Sequence, residues 1–124
     1  MGTLEDIGAA ARTVAAGVGP AVVGIRAAGG AGSGIVTGPN RVVTNAHNLR
    51  RPGEVAVTFA DGRVATGQAL GVDVDGDLAV IEVDTAGAPA VEWAPAAVDA
   101  GEAVFALANP GGRGLRVSFG LVSA

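Results

Sequence analysis

One histidine occurs in this sequence of 124 residues: His47, which ends the run Val42-Val43-Thr44-Asn45-Ala46. An imidazole at the end of a β-like run can serve as a catalytic base, ligate a metal, or sit on the surface without a role. Metal binding has little to stand on, because the chain has no cysteine and no second histidine to build a nitrogen and sulfur ligand set. General-base catalysis asks for a different neighbour, a carboxylate that fixes the tautomer and stabilises the imidazolium. Asp73, Asp75 and Asp77 are placed to provide it, with Asp61 the weakest of the four. Spacing alone does not choose. Asp77, however, stands at the mouth of the apolar run Leu78-Ala79-Val80-Ile81, and a strand end holds a side chain as rigidly as such a carboxylate requires.

A base in turn needs a group to activate. With no thiol available, the candidates are three serines, Ser33, Ser118 and Ser123. A serine nucleophile is raised on a glycine-rich turn whose backbone N–H groups form an oxyanion hole. Ser33, between Gly32 and Gly34, has that look only superficially, since it opens a strand-like run fourteen residues before His47. Ser118 lies within a β run and Ser123 near its end. No serine stands in a nucleophile setting.

The bulk composition bounds the elements that must hold these residues. The length suits one domain with a real core. Apolar residues make up 49% and charged residues 16%, too apolar for disorder, while 21 glycines break the chain too often for a long-helix protein. A net charge of -4 with scattered basic residues leaves no footprint for nucleic acid or acidic lipid. One Trp, three Phe and no Tyr supply no base-stacking platform either. Residues 4–23 look apolar, but Glu5, Asp6 and Arg12 interrupt them and no basic segment precedes them, so neither a signal peptide nor a membrane span is expected there.

Thr3 and Asp6 have the spacing of a capping box. Leu4, Ile7, Ala11, Val14 and Val18 then fall on one helical face, predicting a helix from about Leu4 to Ala16, stopped by Gly17, Gly19 and Pro20. After Pro20 the pattern is β: 21–26, 33–37, 41–44, 55–59, 64–72, 78–83, 102–107 and 116–123 read as short strands. Gly29-Gly30, Gly38-Pro39-Asn40, Asp61-Gly62, Asp73-Val74-Asp75-Gly76 and Asn109-Pro110-Gly111-Gly112 read as the turns between them. The polar segment Arg50-Arg51-Pro52-Gly53 follows the histidine, and 84–100 is a looser stretch holding Trp93. The fold class is all-β, a barrel or sandwich after one helix.

Several blocks occur in a telling order. They are Gly19-Pro20-Ala21-Val22-Val23, Gly32-Ser33-Gly34-Ile35-Val36, Val42-Val43-Thr44-Asn45-Ala46-His47, Phe59-Ala60-Asp61-Gly62-Arg63 and Val72-Asp73 with Asp77-Leu78-Ala79-Val80-Ile81. Gly101-Glu102-Ala103-Val104, Ala108-Asn109-Pro110 and Gly120-Leu121-Val122-Ser123-Ala124 complete the set. Over nearly the whole chain the sequence resembles the HtrA/Deg-like branch of the trypsin-fold serine proteases. The resemblance implies that His47 matches the catalytic base and Asp77 the triad carboxylate, leaving Asp73 and Asp75 as turn-forming acids. It implies a helix over 1–19, then a single closed antiparallel six-stranded β-barrel over 20–124. In the family this is the first of two barrels, with the active site in the cleft between them. Two positions depart from the family pattern: Asn48 stands where a small apolar residue follows the histidine, and Ala108 where glycine precedes Asn-Pro.

The family's Gly-Asn-Ser-Gly-Gly-type motif is absent, as are its oxyanion loop and specificity pocket. The expectation is therefore the N-terminal half of a serine endopeptidase, inactive alone, whether an excised domain, a proteolytic product or a natural half. The substrate implied is polypeptide, and no metal or organic cofactor is implied. The missing second barrel leaves an apolar face, so self-association or exchange of the helix or last strand is expected. The alternative is a non-catalytic barrel that kept the scaffold for binding or assembly. The family's placement would be periplasmic, extracytoplasmic or membrane-anchored, with any export signal upstream.

Overall fold

The computed structural model of the protein describes residues 2–28, 30–49 and 53–123. Gly29 of the expected turn, the segment Arg50-Arg51-Pro52 and the terminal Ala124 lie outside the described residues. Helix α1 runs Thr3–Val18, two residues past the expected end. Gly17 is carried within it, because a lone glycine weakens a helix without ending it; the stop comes at Gly19 and Pro20. The Thr3–Asp6 capping box does not form. Thr3 is already helical, Gly2 is the N-cap, and the Asp6 N–H donates to the Gly2 carbonyl. No residue of α1 is buried.

The branched runs then form strands β1 (Val22–Ala27), β2 (Gly30–Gly38), β3 (Arg41–Thr44), β4 (Glu54–Thr58), β5 (Val64–Asp73) and β6 (Leu78–Glu82). They close an antiparallel barrel in the order β1-β2-β3-β6-β5-β4. Closure is made where β1 meets β4, with Ile25 opposite Val57. Alternate residues point inward, as pleating requires. Val23 and Ile25 of β1, Val36 of β2, Val42 of β3, Val55 and Val57 of β4 and Ile81 of β6 are all essentially inaccessible. Phe59 and Val83 complete the core cluster. Each such side chain contributes about 1.5–3 kcal/mol on burial, enough to make any register slip that turned one outward costly.

One seam matters most for function. β3 pairs with β6, with Val42 opposite Ile81 and Thr44 opposite Ala79. Because that register is locked by two buried side chains, the residues just after β3 are set beside those just before β6.

The barrel is complete without the last two strands. Among the described residues, β7 (Ala103–Ala108) and β8 (Arg116–Leu121) pair only with each other, as a separate two-stranded sheet. The expected barrel over 20–124 is thus closed by strands lying within 22–82, and the hairpin stands outside it. Phe105 and Phe119 pack on one another within the hairpin, with ring centroids 5.5 Å apart, but Phe119 and Leu121 stay largely exposed. The hairpin is anchored through its loop. Arg26 of β1 donates from Nε to the Gly111 carbonyl at 3.0 Å, and Gly24 lets the loop backbone approach so closely that a Cβ there would fall 2.7 Å from the Asn109 carbonyl oxygen.

Candidate active site

The β3–β6 seam delivers two polar segments to one place. After β3 the chain takes one 3-10 turn, Ala46–Asn48, which carries His47. Before β6, the tight turn after Asp73 ends at Asp77, whose backbone is left-handed, with φ of 54°. Aspartate is among the few residues that accept this conformation readily. The Asp77 carbonyl accepts the Ala46 N–H at 3.2 Å, tying the two segments backbone to backbone.

The Asp77 side chain then meets His47 twice. His47 Nδ1 lies 2.7 Å from Asp77 Oδ2, and the His47 backbone N–H donates to Asp77 Oδ1 at 2.9 Å. The ring and carboxylate are both well exposed, with 62% and 44% of their side-chain surfaces accessible, so hydrogen bonds rather than burial fix them. The His47 backbone N–H, then its ring N–H, hold the Asp77 carboxyl below the usual carboxylate range. A carboxylate can only accept, so Nδ1 carries a proton, and in the neutral ring it is Nε2 that presents a lone pair. The arrangement is that of an oriented general base. Asn45 adds a third donor, with Nδ2 at 3.3 Å from both the Asp77 carbonyl and Oδ2. In the sequence Asn45 stands out only as part of the run that leads to the histidine, two residues before it.

The other acids go elsewhere. Asp73 accepts the Gly76 N–H at 3.1 Å and so shapes the turn. Asp61 accepts the Arg63 N–H at 2.9 Å. Neither Asp61, Asp73 nor Asp75 is hydrogen-bonded to the histidine among the described residues. No group of three His, Cys, Asp or Glu that could hold a metal occurs among the described residues.

The serines are not brought to His47. Ser33 Oγ accepts the Asn109 N–H at 2.8 Å, a structural bond between β2 and the hairpin loop. Ser118 lies in β8 opposite Ala106, and Ser123 follows that strand. No serine hydroxyl is hydrogen-bonded to the imidazole among the described residues.

Comparison with known proteins gives concordant likenesses. A family profile described as "Trypsin-like peptidase domain" matches residues 32–124. A Synechocystis sp. protein carrying the serine-protease name HhoB is 37% identical over 97 residues, covering 77% of this chain and 23% of that protein. "Protease Do-like 1, chloroplastic" of Arabidopsis thaliana is 34% identical over 101 residues, covering 76% of this chain and 22% of that protein. The solved serine endoprotease from Yersinia pestis superposes with a TM-score of 0.83 at 27% identity, covering 91% of this chain and 44% of that one. This chain therefore spans about a quarter or less of the curated relatives it matches.

Proposed function

The chain belongs to the HtrA/DegP-like branch of the trypsin-fold serine proteases, and from that membership we propose that it supplies the base and carboxylate of a Ser-His-Asp triad for peptide-bond hydrolysis. The observation that carries the proposal is the pair of hydrogen bonds from His47 to Asp77, at 2.7 and 2.9 Å. In this reading Nε2 of His47 takes the proton of an attacking serine and returns it to the leaving amine. Asp77 keeps the imidazole in the right tautomer and stabilises its charged form without itself becoming protonated. The acyl-enzyme formed on the serine is then hydrolysed by water.

In this reading the nucleophile comes from outside residues 1–124, since no serine hydroxyl is hydrogen-bonded to the imidazole among the described residues. The hairpin of β7 and β8 supports a second body on that side. Two strands alone are marginal in water, and these two leave Phe119 and Leu121 uncovered. A second barrel begun by this hairpin and carrying the serine would cover them. The substrate is polypeptide, and the site is extracytoplasmic, as the printed name "periplasmic serine endoprotease" says of the DegP-like relatives.

The test is labelling of the protein expressed from its full reading frame with a serine-directed fluorophosphonate probe. The expected result is one labelled serine outside residues 1–124, with labelling lost when His47 is replaced, and no labelling of residues 1–124 alone. A reading frame without a reactive serine would instead favour the non-catalytic binding module.

A further inference from the structure

We propose that Asn48 is a positioning residue for His47: its buried amide, seated between Gly32 and Thr44, holds the turn that presents the imidazole to Asp77. The consequence for hydrolysis rests on the triad reading above, whereas the positioning itself rests on geometry alone.

His47 is mostly in solvent, so packing cannot hold its ring, and the turn beneath it must. Asn48 is the next residue of that turn and only 7% of it is accessible. Its Nδ2 donates to Thr44 Oγ1 at 3.3 Å, and the Thr44 hydroxyl donates onward to the Ser33 carbonyl at 2.6 Å. The amide packs against Gly32 of β2. A Cβ at Gly32 would fall 2.6 Å from Asn48 Cγ and 2.7 Å from Oδ1, so a side chain there would displace the amide from this seat.

The turn is thereby tied from two sides. Asp77 takes the Ala46 and His47 N–H groups on one side, and Asn48 ties the other to β2 and β3. A small apolar residue here could fill space over Gly32 but could not bond Thr44. A buried polar side chain is costly to leave unpaired, so the amide is bound to its seat more specifically than an apolar group would be. Ser33, whose carbonyl closes this chain of bonds, also receives the Asn109 N–H on its hydroxyl. The histidine turn and the hairpin loop thus share one anchor on β2.

Residues 1–124 can be tested directly, because the only histidine gives a single imidazole Nδ1–H proton signal. Asn48→Ala is expected to speed exchange of the His47 backbone N–H about three- to tenfold, the effect of one lost hydrogen bond. It should broaden the Nδ1–H signal and leave the Val55 and Val57 amides unchanged. Gly32→Ala, which drives the amide out of its seat, is expected to abolish the Nδ1–H signal. Gly32→Ala with Asn48→Ala is expected to restore it, since the methyl then fills the vacated space. The proposal is overturned if Asn48→Ala leaves both His47 signals unchanged, or if the double variant behaves like Gly32→Ala alone. Should Gly32→Ala not fold, the Asn48→Ala exchange rates decide. None of these readouts involves a nucleophile, so they hold or fail independently of the peptidase reading.

Discussion

His47 and Asp77 are joined twice, ring to one carboxylate oxygen and backbone N–H to the other. Each carboxylate oxygen of Asp77 thus bonds His47, thirty positions away in sequence, and the β3–β6 register puts them there. An asparagine in place of Asp77 can accept at one position only and offers an NH2 at the other. Asp77→Asn is expected to keep the fold, force the wrong tautomer, and lower kcat of the intact protein by a factor on the order of 10⁴, as read from steady-state hydrolysis.

Acid should undo this pair with a definite sign. The folded Asp77 carboxyl lies below its ordinary value because His47 donates to the ionised form. Between the folded and the ordinary value the unfolded chain binds more protons, so stability rises with pH there. The contribution is complete above the ordinary carboxylate range and is lost as pH falls through the folded value. Carbon-detected NMR of the carboxyl should show Asp77 titrating below the usual range, and His47→Ala should move it back up.

The hairpin loop can be pried from the barrel by one methyl. Gly24→Ala would collide with the backbone of Asn109 and Gly112, and is expected to destabilise the chain by about 1–3 kcal/mol in urea unfolding. Gly71→Ala meets open space and should fall within about 0.5 kcal/mol of the parent.

The uncovered face of β7 and β8 should make residues 1–124 associate. Phe119 and Leu121 are about half and two thirds exposed, and sedimentation velocity is expected to show a concentration-dependent shift toward dimer. Leu121→Lys should weaken that shift. A monomer at all concentrations would contradict it.

Much of this architecture was legible in the residues. The branched runs and glycine turns named each barrel strand to within a few residues, because inward Val and Ile recur at the two-residue period of a pleated sheet. The histidine and its four candidate acids were also on view. What composition and spacing did not supply was the choice among Asp61, Asp73, Asp75 and Asp77, which the family resemblance made by matching Asp77. In the fold that proximity depends on the pairing of β3 with β6, a contact between segments more than thirty residues apart. The separate hairpin was missed for a related reason. Residues 103–108 and 116–121 carry the same local β pattern as the barrel strands, and only pairing reveals that they join no other sheet. Asn48, marked in the sequence only as a departure, acquires meaning once Gly32 is seen beneath it.

The central claim is that His47 is the base of a serine peptidase. It is tested most directly by the hydrolysis of an unfolded polypeptide by the protein from its full reading frame, with and without His47→Ala. The expected result is a fall in kcat on the order of 10⁴ to 10⁶, with the barrel's amide NMR signals retained. A variant that folds and cleaves within about tenfold of the parent, where loss of a triad member should cost at least 10⁴, would contradict it.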